Sequence, residues 1–283
     1  MAFDAQLEKF RQRMVVNHFS VNTIKGYMAA IKRLHTFYSL APEQITEDQL
    51  IAFICHIKEG LKLSLVSMRI AVCAIKYFYR HILGMTALAE KIPYPKQEKK
   101  IRTILTGAET KALFEKTTNI KHRLLLKLTY SSGLRRSEVI AIQLADFDWK
   151  NMQLIVRQGK GKKDRFTTLA HSLKPDFDQY ISQYSPQKFL FEGLGKGQPL
   201  SENSTGYIMN QALARAGITK SGICLHSLRH SFASHLLAIH TDVVTVQKLM
   251  GHDDIRSTME YFHLGNRPNS APRSPLDTIY PKS

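Results

Sequence analysis

The chain has 283 residues, of which 43% are hydrophobic and 22% charged, a balance typical of a folded protein long enough for two domains. Its 40 Lys and Arg residues exceed its 23 Asp and Glu residues and give a net charge of +17, which favours a polyanionic partner, nucleic acid first and an anionic membrane second. No apolar run is long enough to span a bilayer, and the N-terminus MAFDAQLEKF carries acids where a signal peptide is basic and then apolar, so we expect a soluble, cytoplasmic protein.

The cysteines exclude two further classes of protein. Cys55, Cys73 and Cys224 lie far apart and form no CxxC pair. A disulfide framework or a cysteine zinc site is therefore not expected, and buried thiols in a reducing compartment are.

Helical patterns fill the first ninety residues, where we predict four helices. Residues 4–17 are weakly helical, Ser20 caps the next segment, and Thr46 opens a helix that Gly60 closes. Apolar residues recur at helical spacing in the second and fourth of these segments. They are Ile24, Tyr27, Ile31, Leu34 and Tyr38, followed by Leu65, Met68, Val72, Ile75, Tyr79 and Ile82.

Basic side chains on these helices, together with the net charge, favour a surface that faces phosphates. The alternative is a solvated helix face, which charged residues also form. The residues concerned are Lys25, Lys32, Arg69, Lys76 and Arg80.

The composition changes at IPYPKQEKKIRT, which has two prolines and no apolar periodicity. We predict an interdomain linker at 93–103 between a domain at 1–92 and another at 104–264. Lys99 and Lys100 in this linker either contact nucleic acid or serve solubility alone. Residues 265–283 form a Pro-rich tail.

The second domain is predicted to be mostly helical with one small hairpin. Helix-like segments precede and follow Gly133, and more are expected at 172–183 and 203–216. Met152, Leu154 and Val156 alternate as a strand does, with a return strand at 166–169. The Gly-rich tip between these strands carries Lys160, Lys162 and Lys163. The fold class is therefore mainly α with a small antiparallel β-sheet (α+β).

The stretch from His226 to His263 concentrates side chains suited to phosphate chemistry. His226 and Arg229 share one face of a predicted helix, and Tyr261 follows His252 by nine positions. Each group alone has a more ordinary explanation, such as a core histidine or a tyrosine anchor. Their joint order along the chain favours a shared site.

That order resembles the tyrosine recombinase, or phage integrase, family. The segment SVNTIKGYMAAIKRLHTFY also resembles the first strong helix of the family's core-binding domain, so the resemblance spans nearly the whole chain. It implies a SAM-like helical domain and a catalytic domain that close as a clamp around DNA. The motifs are GLRRSE at 133–138, GKGKK at 159–163, HSLRH at 226–230, GH at 251–252 and YFH at 261–263.

The resemblance implies cleavage of one DNA strand by the Tyr261 hydroxyl, which leaves a 3′-phosphotyrosyl bond and a 5′-hydroxyl that later attacks a partner strand. Attack builds negative charge on the phosphate, and the planar guanidinium groups of Arg135 and Arg229 suit its oxygens. Lys160 matches the general acid that protonates the leaving oxygen. His226 matches the residue that assists the tyrosine, and His252 a hydrogen-bond donor to the phosphate.

Supporting roles follow from the same match. Glu138 is expected to brace Arg135, His230 and His263 to act as structural supports, and Lys162 and Lys163 to hold backbone phosphates. No metal or ATP is implied, because side-chain cations face the phosphate and the phosphotyrosine conserves the bond energy. The sequence contains no HExxH motif or compact Cys/His group.

The implied partners are a double-stranded DNA recombination site, further copies of the chain in a tetrameric synapse, and accessory proteins, with the enzyme at the nucleoid when bound. The tail at 265–283 is either exchanged between protomers or a flexible end. Two other functions stay open, a type IB topoisomerase and a non-catalytic DNA-binding accessory protein. The biological role is open between integration or excision and dimer resolution; the extra segment of integron integrases does not fit between Lys160 and His226.

Overall fold

The computed structural model describes residues 2–96, 103–157, 164–252 and 254–265, with side chains as far as Tyr261. The chain divides into two compact units, Met1–Lys100 and Ile101–Ser283. Helices dominate both units, and the sheet found among the described residues is small and antiparallel. The predicted fold class is confirmed.

The N-terminal unit is a helical bundle whose helices begin at side-chain caps. Ser20 Oγ accepts a hydrogen bond from Thr23 N at 3.1 Å, and Thr46 and Gln49 cap each other reciprocally, as the sequence predicts for Ser20 and Thr46. A short fifth helix follows the four predicted ones. The helices are α1 (Ala2–Val16), α2 (Val21–Tyr38), α3 (Glu47–Glu59), α4 (Leu65–His81) and α5 (Thr86–Lys91).

The predicted apolar seams form the core of this unit. Ile31 and Leu34 of α2 pack in one buried cluster with Val72 and Ile75 of α4. Fully burying an aliphatic side chain contributes about 1.5–3 kcal/mol relative to leaving it exposed. Packing between α2 and α4 therefore stabilises both helices more than their intrinsic propensity does.

The C-terminal unit carries the remaining described helices. Two of them lie within two residues of the spans predicted at 172–183 and 203–216. In chain order the helices are α6 (Gly107–Glu115), α7 (Ile120–Ser131), α8 (Arg136–Ala141), α9 (Lys174–Tyr184), α10 (Glu202–Ala216), α11 (Leu225–Ala238), α12 (Val243–Met250) and α13 (Arg256–Gly265).

The predicted hairpin is present and gains a third strand. Strands β1 (Phe147–Asp148), β2 (Gln153–Val156) and β3 (Arg165–Thr168) are antiparallel neighbours, with Leu154 opposite Thr167. The sequence pattern predicts Met152 within the strand, but its φ of +52° places it in the turn before β2. The hairpin tip at 158–163 lies outside the described residues.

A small apolar cluster joins the last three helices of the unit. Phe232 of α11, Val246 and Met250 of α12, and Tyr261 of α13 pack together in it. Each of these four side chains is at most 5% exposed. This cluster holds the two ends of the stretch from His226 to Tyr261 against each other.

Candidate active site

The turn between α7 and α8 links two of the predicted arginines. Gly133 adopts a left-handed conformation (φ +59°), and a Cβ there would lie 2.4 Å from the Phe232 ring. Glycine therefore lets the turn approach α11 closely. The Gly133 carbonyl accepts a hydrogen bond from Arg229 Nη1, and Arg135, two residues after Gly133, is the N-cap residue of α8.

Glu138 is a buried carboxylate shared by three arginines. Its oxygens accept hydrogen bonds from Arg135 N and Nη1, both at 2.7 Å. Arg165 of β3 donates two more, at 2.7 and 2.8 Å, and Arg229 Nη1 lies 3.8 Å from the carboxylate. Burial alone raises the pKa of Glu138, but Arg165 and then Arg135 hold it at about 2. Three guanidinium groups against one carboxylate leave a net positive charge in this cluster.

The same three arginines bind successive carbonyls at the C-terminal end of α12. Arg165 Nε donates to Leu249 O at 3.0 Å, Arg229 Nη2 donates to Met250 O, and Arg135 Nη2 donates to Gly251 O at 2.8 Å. A helix C-terminus carries unpaired carbonyls and partial negative charge, so it suits cations. These contacts fix the backbone immediately before His252.

Arg229 is a buried cation at the centre of this cluster. Its side chain is 1% exposed. Burial, and then the charge of Arg135, lower the pKa of its guanidinium to about 9, so it remains charged at neutral pH. An anion in this site would stabilise that charge.

Tyr261 lies beside the arginines with its hydroxyl held by a histidine. The Tyr261 ring is 1% exposed, and its hydroxyl is 2.8 Å from His230 Nδ1. The exposed His226 ring lies 4.5 Å from that of His230, centroid to centroid. The contact described at the tyrosine hydroxyl is thus made by His230, which was predicted as a support, because α13 packs on the face of α11 that carries His230.

His252 stacks over the same tyrosine. The two ring centroids lie 6.1 Å apart with an interplanar angle of 17°. His252 Nδ1 is 2.9 Å from the hydroxyl of Thr258, a residue one turn before Tyr261 on α13. Thr258 is fully buried, so this contact joins the imidazole to the helix of the tyrosine.

Family models match both parts of the chain. The model of the phage integrase family matches residues 97–267, and that of the phage integrase N-terminal SAM-like domain matches residues 7–87. The chain belongs to the phage integrase family. It is a tyrosine site-specific recombinase by class, which confirms the resemblance found in its motifs.

Relatives and solved structures agree with this membership. The recombinase is 29% identical over 272 residues to tyrosine recombinase XerC of Staphylococcus haemolyticus, which covers 89% of this chain and 90% of XerC. Its fold is similar to that of XerH bound to a difH substrate, with a TM-score of 0.71 and 22% identity. The match covers 91% of this chain and 81% of the XerH chain. Its fold is also similar to that of lambda integrase in a tetramer bound to a Holliday junction, with a TM-score of 0.75 and 18% identity. This match covers 97% of this chain and 80% of the lambda integrase chain.

Several predicted residues of the recombinase lie outside the site or outside the described part of the chain. Lys25 and Lys32 are exposed on α2, Arg80 is exposed on α4, and Arg69 donates to Pro95 O at 2.8 Å. The residues that fall outside the description are Lys99, Lys100, Lys160, Lys162, Lys163 and the side chain of His263.

Lys76 differs from its predicted placement on a phosphate-facing surface. It is 7% exposed, and its ammonium group donates to Ile92 O at 2.6 Å and to Glu90 O at 3.4 Å. These carbonyls end α5 and satisfy the charge within the N-terminal unit. The helical pattern could not show this, because the partners lie on another element.

Two site residues escaped the motif comparison, Arg165 and Thr258. Alternation along β3 would by sequence turn the apolar Phe166 inward, but the structure leaves Phe166 62% exposed and buries Thr167 at 1% exposed. Arg165 shares the face of Thr167, so the sequence pattern could not identify it. Thr258 lies three positions before the tyrosine on a helix, hence on a neighbouring part of its face.

In the part of the chain that the structure describes, no group of three or more His, Cys, Asp or Glu side chains could hold a metal ion. No helix there is long and apolar enough to cross a membrane.

Proposed function

We propose that the recombinase breaks and rejoins DNA at a specific double-stranded site, with Tyr261 as the nucleophile that forms a 3′-phosphotyrosyl bond. The contact of 2.8 Å between the Tyr261 hydroxyl and His230 Nδ1, beside the arginine cluster, carries this proposal. A phenol with a pKa of about 10 is a weak nucleophile at neutral pH, and a histidine in hydrogen-bonding contact can accept its proton. His226, whose ring lies against that of His230, assists in this step.

Arg135 and Arg229 would bind the non-bridging oxygens of the scissile phosphate. A guanidinium has five N–H donors, so one arginine can bind a backbone carbonyl and a phosphate together. Their carbonyl contacts at Gly133, Met250 and Gly251 orient them before DNA arrives. Such a preorganised donor stabilises the transition state by about 3 kcal/mol.

The remaining roles rest on the motif match. His252 donates a hydrogen bond to the phosphate, and its contact with Thr258 orients the ring. Lys160 protonates the leaving 5′-oxygen, and Lys162 and Lys163 hold neighbouring phosphates. The 5′-hydroxyl then attacks the phosphotyrosine of a partner strand, which releases Tyr261 and restores the phosphodiester without ATP.

Cleavage requires a rearrangement of α13. A tyrosine that is 1% exposed cannot reach a phosphate that arrives from solvent. Because Tyr261 packs with Phe232, Val246 and Met250, its release must separate α13 from α11 and α12. We infer that binding of DNA or of a second protomer provides this rearrangement.

The assembly is proposed to be a tetramer on two DNA sites, acting in integration and excision or in dimer resolution. The lambda integrase structure, a tetramer on a Holliday junction, supports this arrangement. Domains at 1–92 and 104–264, joined by the linker at 93–103, would close around DNA, and the tail at 265–283 would pass to a neighbouring protomer. Accessory proteins would assist the assembly, and the enzyme would act in the cytoplasm, at the nucleoid when bound to DNA.

Covalent trapping tests the nucleophile. A duplex bearing a site selected by the protein from host DNA, nicked so that the cleaved end diffuses away, should trap a protein–DNA adduct with wild type. Tyr261→Phe should bind this duplex with unchanged affinity and form no adduct, because its ring lacks the hydroxyl. Gel electrophoresis under denaturing conditions measures the adduct. Its absence with wild type, or its persistence with Tyr261→Phe, would contradict the proposal.

A further inference from the structure

We propose that Arg165 is a positioning residue for strand cleavage, which acts through Glu138 on Arg135 and through Leu249 O on the backbone before His252. This inference rests on the proposed function and adds a residue to it. Arg165 belongs to none of the five motifs that identify the family. It lies on the sheet, whereas Arg135 caps α8 and Arg229 and Tyr261 lie on α11 and α13.

The guanidinium of Arg165 is bound along two edges. Nη1 and Nη2 form a bidentate pair with Glu138 at 2.7 and 2.8 Å, and Nε donates to Leu249 O at 3.0 Å. The side chain is 10% exposed. A planar fork matches a carboxylate in this way, whereas a lysine ammonium supplies only a point charge. Arg165 therefore fixes both oxygens of Glu138 in space.

Glu138 transmits this placement to Arg135. One carboxylate oxygen accepts from Arg135 Nη1 and the other from Arg135 N, both at 2.7 Å. The Arg135 guanidinium thus takes its position from an anion whose orientation Arg165 sets. Without Arg165, burial would favour the protonated form of Glu138, and the charge that holds Arg135 would be lost at a higher pH.

The surrounding backbone leaves space for Arg165. Gly251 has a φ of +59°, and a Cβ on it would lie 2.7 Å from Arg165 Cδ. The same glycine supplies the carbonyl that binds Arg135 Nη2 at 2.8 Å. Gly251 therefore accommodates the two arginines together, one against its Cα and one at its oxygen.

Arg157 provides a matched control on the same sheet. It follows β2 as Arg165 begins β3, and it also pairs with a carboxylate, since its Nε donates to Asp146 at 2.6 Å. Its side chain is 53% exposed, and the contacts described for it do not include Glu138 or α12. Arg157→Ala therefore measures the effect of losing an ion pair on the sheet in general.

The experiment measures single-turnover cleavage of the nicked duplex between pH 5 and pH 9, with binding affinity and thermal unfolding, for wild type, Arg165→Ala, Arg165→Lys and Arg157→Ala. Loss of a partner that orients a metal ligand typically costs about 10–100-fold in activity, and we expect a loss of similar size here. Arg165→Ala should therefore cleave about 10–100-fold more slowly at neutral pH while its DNA affinity stays within about threefold. Arg157→Ala should stay within about twofold of wild type.

The pH profile separates positioning from a structural role. In wild type, Glu138 stays ionised through the whole range, since its pKa lies at about 2. In Arg165→Ala its pKa rises, so cleavage should fall further as the pH approaches 5. The double variant Arg165→Ala with Glu138→Gln should lose this additional acid dependence, because the titrating group is gone.

Arg165→Lys keeps the positive charge and changes the side-chain volume little. It therefore provides a test if Arg165→Ala fails to fold. It should retain the wild-type pH dependence yet cleave at least about fivefold more slowly, since an ammonium cannot form the bidentate pair. Wild-type cleavage rates in Arg165→Lys, or a loss in Arg165→Ala that is equal at every pH, would overturn the positioning role. If wild type itself formed no adduct, the proposed function would fail instead.

Discussion

At the scale of single residues, the environment of Tyr261 is set by two histidines that differ in how they are held. His230 contacts the hydroxyl directly at 2.8 Å, whereas His252 stacks over the ring and contacts Thr258 at 2.9 Å. Thr258 and Tyr261 share α13, so any shift of this helix moves both the proposed nucleophile and the partner of His252. The threonine hydroxyl thereby couples the imidazole to the position of the tyrosine.

Replacement of Thr258 by Val removes the hydroxyl and keeps the shape. We expect cleavage of the nicked duplex to fall about tenfold, because the His252 ring loses a partner that fixes its orientation. Unfolding free energy should fall by only about 1 kcal/mol, the usual net value of a hydrogen bond. Thr258→Ser should recover most of the activity.

The neighbouring Ser257→Ala serves as the control for this prediction. Its residue precedes Thr258 on α13, and its backbone N donates to Asp254 O at 3.1 Å. Single-turnover kinetics and urea unfolding on the three variants give the comparison. A Thr258→Val enzyme as fast as Ser257→Ala would show that His252 needs no orientation from α13.

At the scale of elements, the turn between α7 and α8 sets the distance from α8 to α11. Gly133 makes this turn with φ +59°, against the ring of Phe232. The turn also delivers a carbonyl to Arg229 and places Arg135 at the start of α8. A change of one atom at this position therefore affects packing and site together.

Gly133→Ala should destabilise the C-terminal unit. A left-handed alanine costs roughly 1–2 kcal/mol, and insertion of a methyl group against Phe232 adds roughly 1–3 kcal/mol. We expect a total loss of about 2–5 kcal/mol in the free energy of unfolding, measured with urea. The control is Gly206→Ala in α10, where a Cβ would meet no atom within 4 Å and φ is not left-handed.

The control should change stability in the opposite direction. Alanine in a helix interior is favoured over glycine by about 0.5–1 kcal/mol, so Gly206→Ala should unfold at a higher urea concentration than wild type. Equal stability of Gly133→Ala and wild type would mean that the turn and Phe232 can move apart freely.

At the scale of the whole molecule, two compact units with separate apolar cores carry a net charge of +17. This net charge favours the binding of DNA, since lysine and arginine release counterions from DNA phosphates when they bind them. The described residues of the proposed cleavage centre all lie in the C-terminal unit; they are Arg135, Arg165, Arg229, His230 and Tyr261. In the proposed tetramer, two such centres would act in each strand exchange.

Truncation after Leu264 tests the proposed exchange of the tail. The shortened chain keeps Tyr261 and should bind one site as a monomer with affinity within about threefold of wild type. Cooperative binding and tetramer formation on two sites should be lost, as measured by electrophoretic mobility and by sedimentation. Formation of wild-type tetramers by the truncated chain would assign the protomer contact to another surface.

The sequence by itself determined the helices, the hairpin and the family. Caps at Ser20 and Thr46 and the seams on α2 and α4 depend on residues within one or two turns, so their spacing is visible in the chain. Ordered motifs likewise identified the tyrosine recombinase class. The caps and seams are local features, and the order of the motifs is read directly along the chain.

Only the tertiary structure decided which groups meet. Arg135 reaches Gly251 O across 116 residues and Arg229 reaches Gly133 O across 96, and no periodicity encodes either contact. His226 and His230 are one turn apart on α11, and the packing of α13 selected His230 for the tyrosine hydroxyl. Long-range contacts depend on how whole elements pack, because a side chain binds whatever acceptor the fold brings within about 3 Å.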